Sequence, residues 1–313
     1  MKTIYIVIVT WNGMKWIKCC LDSIQLSGYP CKTIVVDNGS TDETVSFIRN
    51  EFPLVEIIET GRNLGFGQAN NLGIIHALEN HADYVYLLNQ DAYIYPDMFE
   101  KLIKAYEDSG TQAGILSPLH IQNDRRHLDC QFSAYLNTCS TNMIEDFCLN
   151  RLKPFYYVDS VPAAGWLLPK NTLQTIGGFD PLFFHYGEDH NYSQRANYHK
   201  LPTIVVPEAK MIHDRIGYGN EKMAKKKMFF RTAKTEIFMN INLGDFQILS
   251  SALKLWCKYF FESFRYIFKS PQIFCELQIA VPINFLFIGK YIAHRRRNKI
   301  TGFSWLQKYD HRK

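Results

Sequence analysis

The chain has 313 residues, 47% of them hydrophobic and 21% charged, with a formal net charge of +5 at pH 7. This composition excludes a disordered chain and leaves room for one large α/β domain with an appendage; a small positive excess without a nucleic-acid motif argues against a nucleic-acid binder. The eight cysteines form no CxxC pair and no Cys/His cluster with zinc-ligand spacing, so a zinc module is not expected and the thiols read as reduced and structural.

In chain order, a β-branched run at 4–9 predicts a first strand, 16–27 a helix, 33–36 a second strand and 42–52 a second helix. The alternation continues with a strand at 55–58, a helix at 67–80, a strand at 84–88 and a helix at 96–108 that begins with Pro96. Alternating strand and helix predicts a Rossmann-like, mostly parallel central sheet flanked by helices, with ligands beyond the carboxyl ends of the strands. The first strand begins without the charged, apolar and small-residue segments of a signal peptide, which sets the expectation of a cytoplasmic protein.

Polar residues collect at those strand ends. Thr10-Trp11-Asn12-Gly13 closes the first strand and Asp37-Asn38-Gly39-Ser40-Thr41-Asp42 the second. Gly61-Arg62-Asn63-Leu64-Gly65-Phe66-Gly67 follows the third, and Asn89-Gln90-Asp91 the fourth. Any one of these is an ordinary turn of Asn, Gly and Asp. Four on one edge, each with an acid, amide or Arg, predict a binding site.

Between about 110 and 220 the runs become short and proline-punctuated, which suggests an acceptor-binding half following a nucleotide-binding half at 1–110. Pro162-Ala163-Ala164-Gly165-Trp166 lies here, as does a strand at 204–206 leading to His213. So does the Gly- and Phe-rich run 177–189, ending in Glu188-Asp189 at the head of a helical pattern. Acids in a first helical turn are kept ionised by the helix dipole. Such a pair serves as a cap, or as a base that takes a proton from an alcohol.

The segment 221–313 reads as a helical, basic and aromatic extension. Lys254, Lys258, Glu262, Arg265 and Lys269 form one polar stripe on a helix otherwise built of Leu253, Leu255, Trp256, Tyr259, Phe260, Phe261, Phe264, Ile267 and Phe268. A broad aromatic face under basic residues predicts a membrane-surface contact through 250–300, peripheral on the inner face of the cell membrane; the alternatives are a helix packed on the rest of the chain and a homodimer interface. The apolar run 277–289 contains Pro282 and is shorter than the about 20 residues a spanning helix needs.

Several blocks in order resemble the inverting glycosyltransferases of family 2 with the GT-A fold, and among them the rhamnosyltransferase-like members. They are Val9-Thr10-Trp11-Asn12, the 35–42 run with Asp37-Asn38-Gly39-Ser40, the 63–74 run with Asn63-Leu64-Gly65-Phe66-Gly67, Leu87-Leu88-Asn89-Gln90-Asp91, Gly177-Gly178-Phe179-Asp180 and Glu188-Asp189. The resemblance spans 4–213 and implies a catalytic domain over 1–220. It implies a UDP- or dTDP-sugar held by Thr10, Asn12, Asp37, Asn38, Arg62, Asn63, Gly65, Asn70, Asn89 and Asp91, with Gly165 and Trp166 completing that surface. It further implies a divalent metal, Mg²⁺ or Mn²⁺, on Asp91 with His213 as a further metal or diphosphate contact, and Asp189 as catalytic base with Glu188 as its orienting neighbour or the alternative base. The family's metal motif is commonly Asp-x-Asp, whereas Asn89 holds the first position here. The expected activity is transfer of a hexose or deoxyhexose to a saccharide or lipid-linked acceptor in bacterial surface polysaccharide synthesis. The alternatives are an inactive nucleotide-sugar-binding scaffold, prompted by Asn89, and a sugar nucleotidyltransferase, for which the loop after the first strand lacks the basic Gly-rich character.

Overall fold

Strand β1 (Ile4–Thr10) is buried along almost its whole length, the mark of a parallel strand covered on both faces. Its alternate residues enter two separate cores. Ile4, Ile6 and Ile8 pack with residues of α1 (Ile17–Gln25), α2 (Thr44–Glu51) and α4 (Met98–Asp108). Tyr5 and Val7 pack with residues of α3 (Phe66–Glu79), α7 (Lys170–Ile176) and α8 (Glu188–Tyr198). Each fully buried Val, Ile or Leu side chain contributes about 1.5–3 kcal/mol, so this two-sided burial fixes the strand's register.

The computed structural model describes residues 2–110, 112–138, 142–214 and 233–306. They fall into two compact units, Met1–Arg215 with Thr301–Lys313, and Ile216–Ile300. In the first unit, β2 (Cys31–Asp37) and β4 (Tyr84–Asn89) flank β1 in parallel, and β3 (Glu56–Glu59) adds to β2 in parallel. The other half of the sheet is mixed. β8 (Gly165–Pro169) is antiparallel to both β4 and β6 (Ile115–Gln122), while β6 runs parallel to β9 (Thr203–His213). β7 (Tyr156–Val158) and β5 (Ala92–Ile94) pair antiparallel with the first and last thirds of β9. The mostly parallel expectation therefore holds for β3-β2-β1-β4, and the second half departs from it. The short runs expected at 204–206 and 211–213 are one strand of 11 residues, carried across a register shift opposite Pro118 and Leu119.

Two shorter helices, α5 (Cys130–Thr138) and α6 (Met143–Cys148), lie between β6 and β7. The chain's last described residues also belong to the first unit. Gly302 N–H donates to Thr175 O and Gly178 N–H to Ser304 O, both at 2.8 Å. A Cβ on Gly177 would lie 1.9 Å from Ser304 O, so this position admits only glycine. An extension running uninterrupted over 221–313 is thus corrected: the segment from Thr301 returns to the first unit. The boundary expected at 220 lies outside the described residues.

The second unit is helical. Beyond a π-helical turn (Ala233–Phe238) come α9 (Asp245–Ser263), α10 (Pro271–Ile279) and α11 (Ile288–Asn298), with 3-10 turns at Phe264–Tyr266 and Pro282–Phe287. Phe238, Tyr259, Leu277 and Tyr291 are among its buried residues, and Phe238 meets Phe285 edge-on at 5.1 Å. The helix expected to continue to Lys269 ends at Ser263, six residues short, and the chain tightens to 3-10 geometry ahead of Pro271. Among the described residues no single helix is long and apolar enough to cross a membrane. Pro271–Ile279 with Pro282–Asn298 meets that length and composition only as a pair bent by 40°.

Candidate active site

The parallel strands end together, and their loops are joined by side-chain bonds. Thr10 Oγ1 donates to Gln90 Oε1 at 2.7 Å, and Trp11 N–H donates to the same oxygen at 3.0 Å. Gln90, which sequence reasoning did not single out, therefore clasps the ends of β1 and β4. Asn12 N–H donates to Ser40 Oγ at 2.9 Å, and Asn12 Oδ1 accepts from Thr41 N–H at 2.8 Å. Asp37 is buried and accepts from the backbone N–H groups of Gly39 and Ser40, holding the turn after β2. Asn38 completes the row: its Oδ1 accepts from Leu64 N–H at 2.8 Å and its Nδ2 donates to Asn63 Oδ1 at 3.1 Å. Arg62 and Asn63 are exposed at this edge.

The loop bearing Glu188 and Asp189 is seated on the turn after β3. Gly65 has φ +83°, and a Cβ there would lie 2.1 Å from Phe184 O. At Gly67 a Cβ would meet Phe179 Cβ at 2.9 Å and Glu188 Cβ at 3.8 Å. These close approaches put the start of α8 beside the turn that carries Asn63 and Leu64. Gly187 N-caps α8 with φ 95°, so Glu188 and Asp189 fall in its first turn, where the dipole favours negative charge. Glu188 is buried, whereas Asp189 is partly exposed and its Oδ1 accepts from His190 N–H at 2.8 Å. Phe184 and Tyr186, exposed just before them, present flat apolar rings.

Two buried residues that sequence reasoning missed fix this loop from beneath. Asn71 on α3 bonds both main-chain groups of Phe179. Arg195 on α8 is fully buried and donates to the carbonyls of Gly178, at 2.6 Å, and Ile176. Burial pulls its pKa down from the usual guanidinium value, while Tyr192 and Asp180 oppose that shift. An asparagine inside a helix or an arginine in a polar helical run carries no signal of such a role, because its carbonyl partners lie elsewhere in the fold.

The third part lies where β5 meets β9, beside the end of β4. His213 pairs with Ala92 across β5 and β9, and Asp214 N–H donates to Asp91 O at 2.7 Å. His213 Nε2 stands 3.5 Å from Asp91 Oδ1 and 3.5 Å from the Asn89 amide. On the other side of the ring, Nδ1 is 3.4 Å from Oδ2 of buried Asp129. With Nδ1–H turned to Asp129, Nε2 offers its lone pair toward Asp91. Asn89 Oδ1 is buried and makes no hydrogen bond. Among the described residues no three His, Cys, Asp or Glu side chains could hold a metal ion together. The donor set fits a hard divalent cation all the same: one carboxylate, one imidazole and an amide oxygen without a partner, with substrate oxygens to complete the shell.

Two expected binding side chains are not at this edge. Trp166 is fully buried in β8, stacked on Phe179 at 6.2 Å, and Gly165 beside it pairs with Leu88 in the sheet. Asn70 is buried too, its Nδ2 donating to Phe66 O at 3.0 Å. Trp166 and Asn70 thus shape the core under the site, which corrects their assignment as donor contacts.

Residues 5–139 match the family described as Glycosyl transferase family 2. The chain is 26% identical over 213 residues to the dTDP-rhamnosyl transferase RfbF of Shigella flexneri, covering 68% of this chain and 69% of that protein. It is 25% identical over 237 residues to an N-acetylglucosaminyl-diphospho-decaprenol L-rhamnosyltransferase of Mycobacterium tuberculosis, covering 67% and 75%. Among solved structures, the mannosyltransferase PcManGT of Pyrobaculum calidifontis, in complex with GDP-Man and Mn²⁺, matches with a TM-score of 0.56 at 17% identity, covering 97% of this chain and 84% of that one. With its loops gathered at the carboxyl edge of a GT-A sheet and this likeness running through them, the chain carries a family 2 glycosyltransferase domain over 5–139 and is similar to the rhamnosyltransferases.

Proposed function

We propose that the protein transfers a sugar, with inversion, from a nucleoside diphosphate donor to a hydroxyl of a saccharide or lipid-linked acceptor in surface polysaccharide synthesis. The names of the two rhamnosyltransferase relatives favour dTDP-rhamnose as the donor. The observation that carries this reading is the seating of the Phe184–Asp189 loop on Gly65 and Gly67, which sets an ionisable carboxylate beside the donor-side turns.

Asp189, partly exposed in the first turn of α8, takes the proton from the attacking hydroxyl as the bond to phosphate breaks. Buried Glu188 supports the turn that orients it. Phe184 and Tyr186 offer stacking faces to the acceptor ring. Asp37, Asn38 and Asn12 hold the nucleoside-side turns, while Asp91, His213 and Asn89 form the diphosphate corner. A divalent cation bound there would neutralise the charge that accumulates on the leaving diphosphate.

The test is Asp189→Asn. Transfer should fall by about 10²–10⁴-fold, the usual contribution of a general base, with donor affinity within a factor of about two. Calorimetry with the donor and a radiolabelled transfer assay read the two quantities separately. Undiminished transfer would remove Asp189 from the role.

A further inference from the structure

Helix α9 turns one face into its unit and another to solvent. Ile248, Ala252, Tyr259 and Ser263 are buried. At roughly 100° per residue the solvent-facing arc beside that face holds Leu249, Leu253, Phe246 and Phe261, with Phe264 just past the helix end. These are among the most exposed large apolar side chains of the unit: Phe246 is 83% and Phe261 72% accessible, and Phe268 beyond them 94%. Soluble surfaces expose such residues singly; a continuous aromatic stripe marks a surface that something covers.

The charges bordering the stripe say what covers it. Lys254, Lys258 and Arg265 are exposed along one side of the arc, and Lys269 is exposed beside Phe268. The only carboxylates on this helix are Asp245 at its first turn and Glu262 near its end, so the border is predominantly cationic. A second copy of the same stripe would place these cations against each other, with a repulsion that an isologous interface repeats on both sides. A lipid surface with anionic headgroups meets both features at once: aromatic rings enter the acyl boundary while Lys and Arg stay among the phosphates.

We infer that residues 245–269 form an interfacial membrane-binding surface, with the apolar arc of α9 lying in the plane of an anionic bilayer. The contact is peripheral, because the apolar residues occupy one face of an otherwise polar and inward-packed helix. It rests on the unit's own geometry and not on the transfer reaction.

The experiment is flotation of the full chain with vesicles of phosphatidylcholine alone and of phosphatidylcholine mixed with phosphatidylglycerol. The protein should float with the anionic vesicles and much less with the neutral ones, and salt should weaken it. The triple change Phe246→Ser, Leu253→Ser, Phe264→Ser should lower the bound fraction by about tenfold or more with an unchanged thermal midpoint. Lys254→Glu with Lys258→Glu should remove the preference for the anionic vesicles. Failure to float with either vesicle, or flotation indifferent to the triple change, overturns the inference. A dimer in light scattering that the triple change dissociates also overturns it, by showing a second copy on the stripe. Transfer to a soluble acceptor is read separately, so a protein that transfers but does not float fails here alone, and one that floats but does not transfer fails only the catalytic reading.

Discussion

Asn71 and Phe179, 108 positions apart, hold each other by both ends: Asn71 Oδ1 accepts from Phe179 N–H at 2.7 Å, and Asn71 Nδ2 donates to Phe179 O at 2.9 Å. The amide acts as a strand partner for one residue of the loop that leads to Glu188 and Asp189. The same Nδ2 lies 3.2 Å from Trp305 O, so one side chain ties α3, this loop and the C-terminal segment together.

Asn71→Leu keeps the volume and removes the bonds, leaving a buried N–H and carbonyl unsatisfied. Each such group costs about 1–3 kcal/mol, so urea unfolding should show a loss of about 2–6 kcal/mol. Because the loop it holds carries Asp189, kcat should fall while donor affinity changes little.

Gly65→Ala should be more damaging than its size suggests. The position has φ +83° and faces Phe184 O, a backbone atom that cannot rotate away. Strain and clash together should cost about 2 kcal/mol or more. Transfer should drop further than thermal stability alone explains, because the displaced segment leads into Asp189, the proposed base. Gly61→Ala serves as the control, since φ is +68° there and nothing lies within 4 Å of the added Cβ.

Removal of the diphosphate corner should separate nucleotide from metal. His213→Ala and Asp91→Ala should each weaken Mn²⁺-dependent binding of a nucleoside diphosphate by about tenfold or more, read by calorimetry with and without the metal. Asp129→Asn should weaken it less, since Asp129 faces the far side of the His213 ring and would act on a bound cation only through it. Equal nucleotide binding with and without Mn²⁺ in the wild type would remove the cation from the corner.

Asp146 gives a pH signature of the folded state. Burial pushes its carboxyl up, but the Tyr156 hydroxyl, Arg151 and Lys153 outweigh that and hold its pKa below the ordinary 3.8. A depressed folded-state value means that the stabilisation is complete above 3.8 and is lost as pH falls through the lower, folded value. Thermal midpoints followed downward from pH 5 should therefore fall less steeply in Asp146→Asn than in the wild type.

Much of the catalytic unit is legible in the residues because its signals are local. The β-branched run of β1, the apolar spacing of α3 and the Asn, Gly and Asp turns after each strand require no knowledge of what they touch. Trp166 shows where that stops. An aromatic next to glycine in a polar-edged half suggests a binding platform, yet a strand turns alternate residues to opposite faces, and the pairing of Leu87 with Trp166 turns this one into the core. Arg195 was equally illegible, since its carbonyl partners lie in a loop 17 and 19 positions away that folds back beneath it.

The sequence by itself determined which chemistry sits at the strand ends, because turn geometry and strand periodicity are properties of neighbouring residues. Only the tertiary structure decided which of those groups meet. β9 pairs with β6 on one side and β5 on the other, and that pairing carries His213 to Asn89, 124 positions away, and to Asp91. The glycines at 65 and 67 let Phe184, Phe179 and Glu188 approach the turn after β3 closely, which seats the head of α8 beside that turn. Both outcomes depend on contacts between distant segments, where the energy comes from burial and pairing that no local pattern encodes.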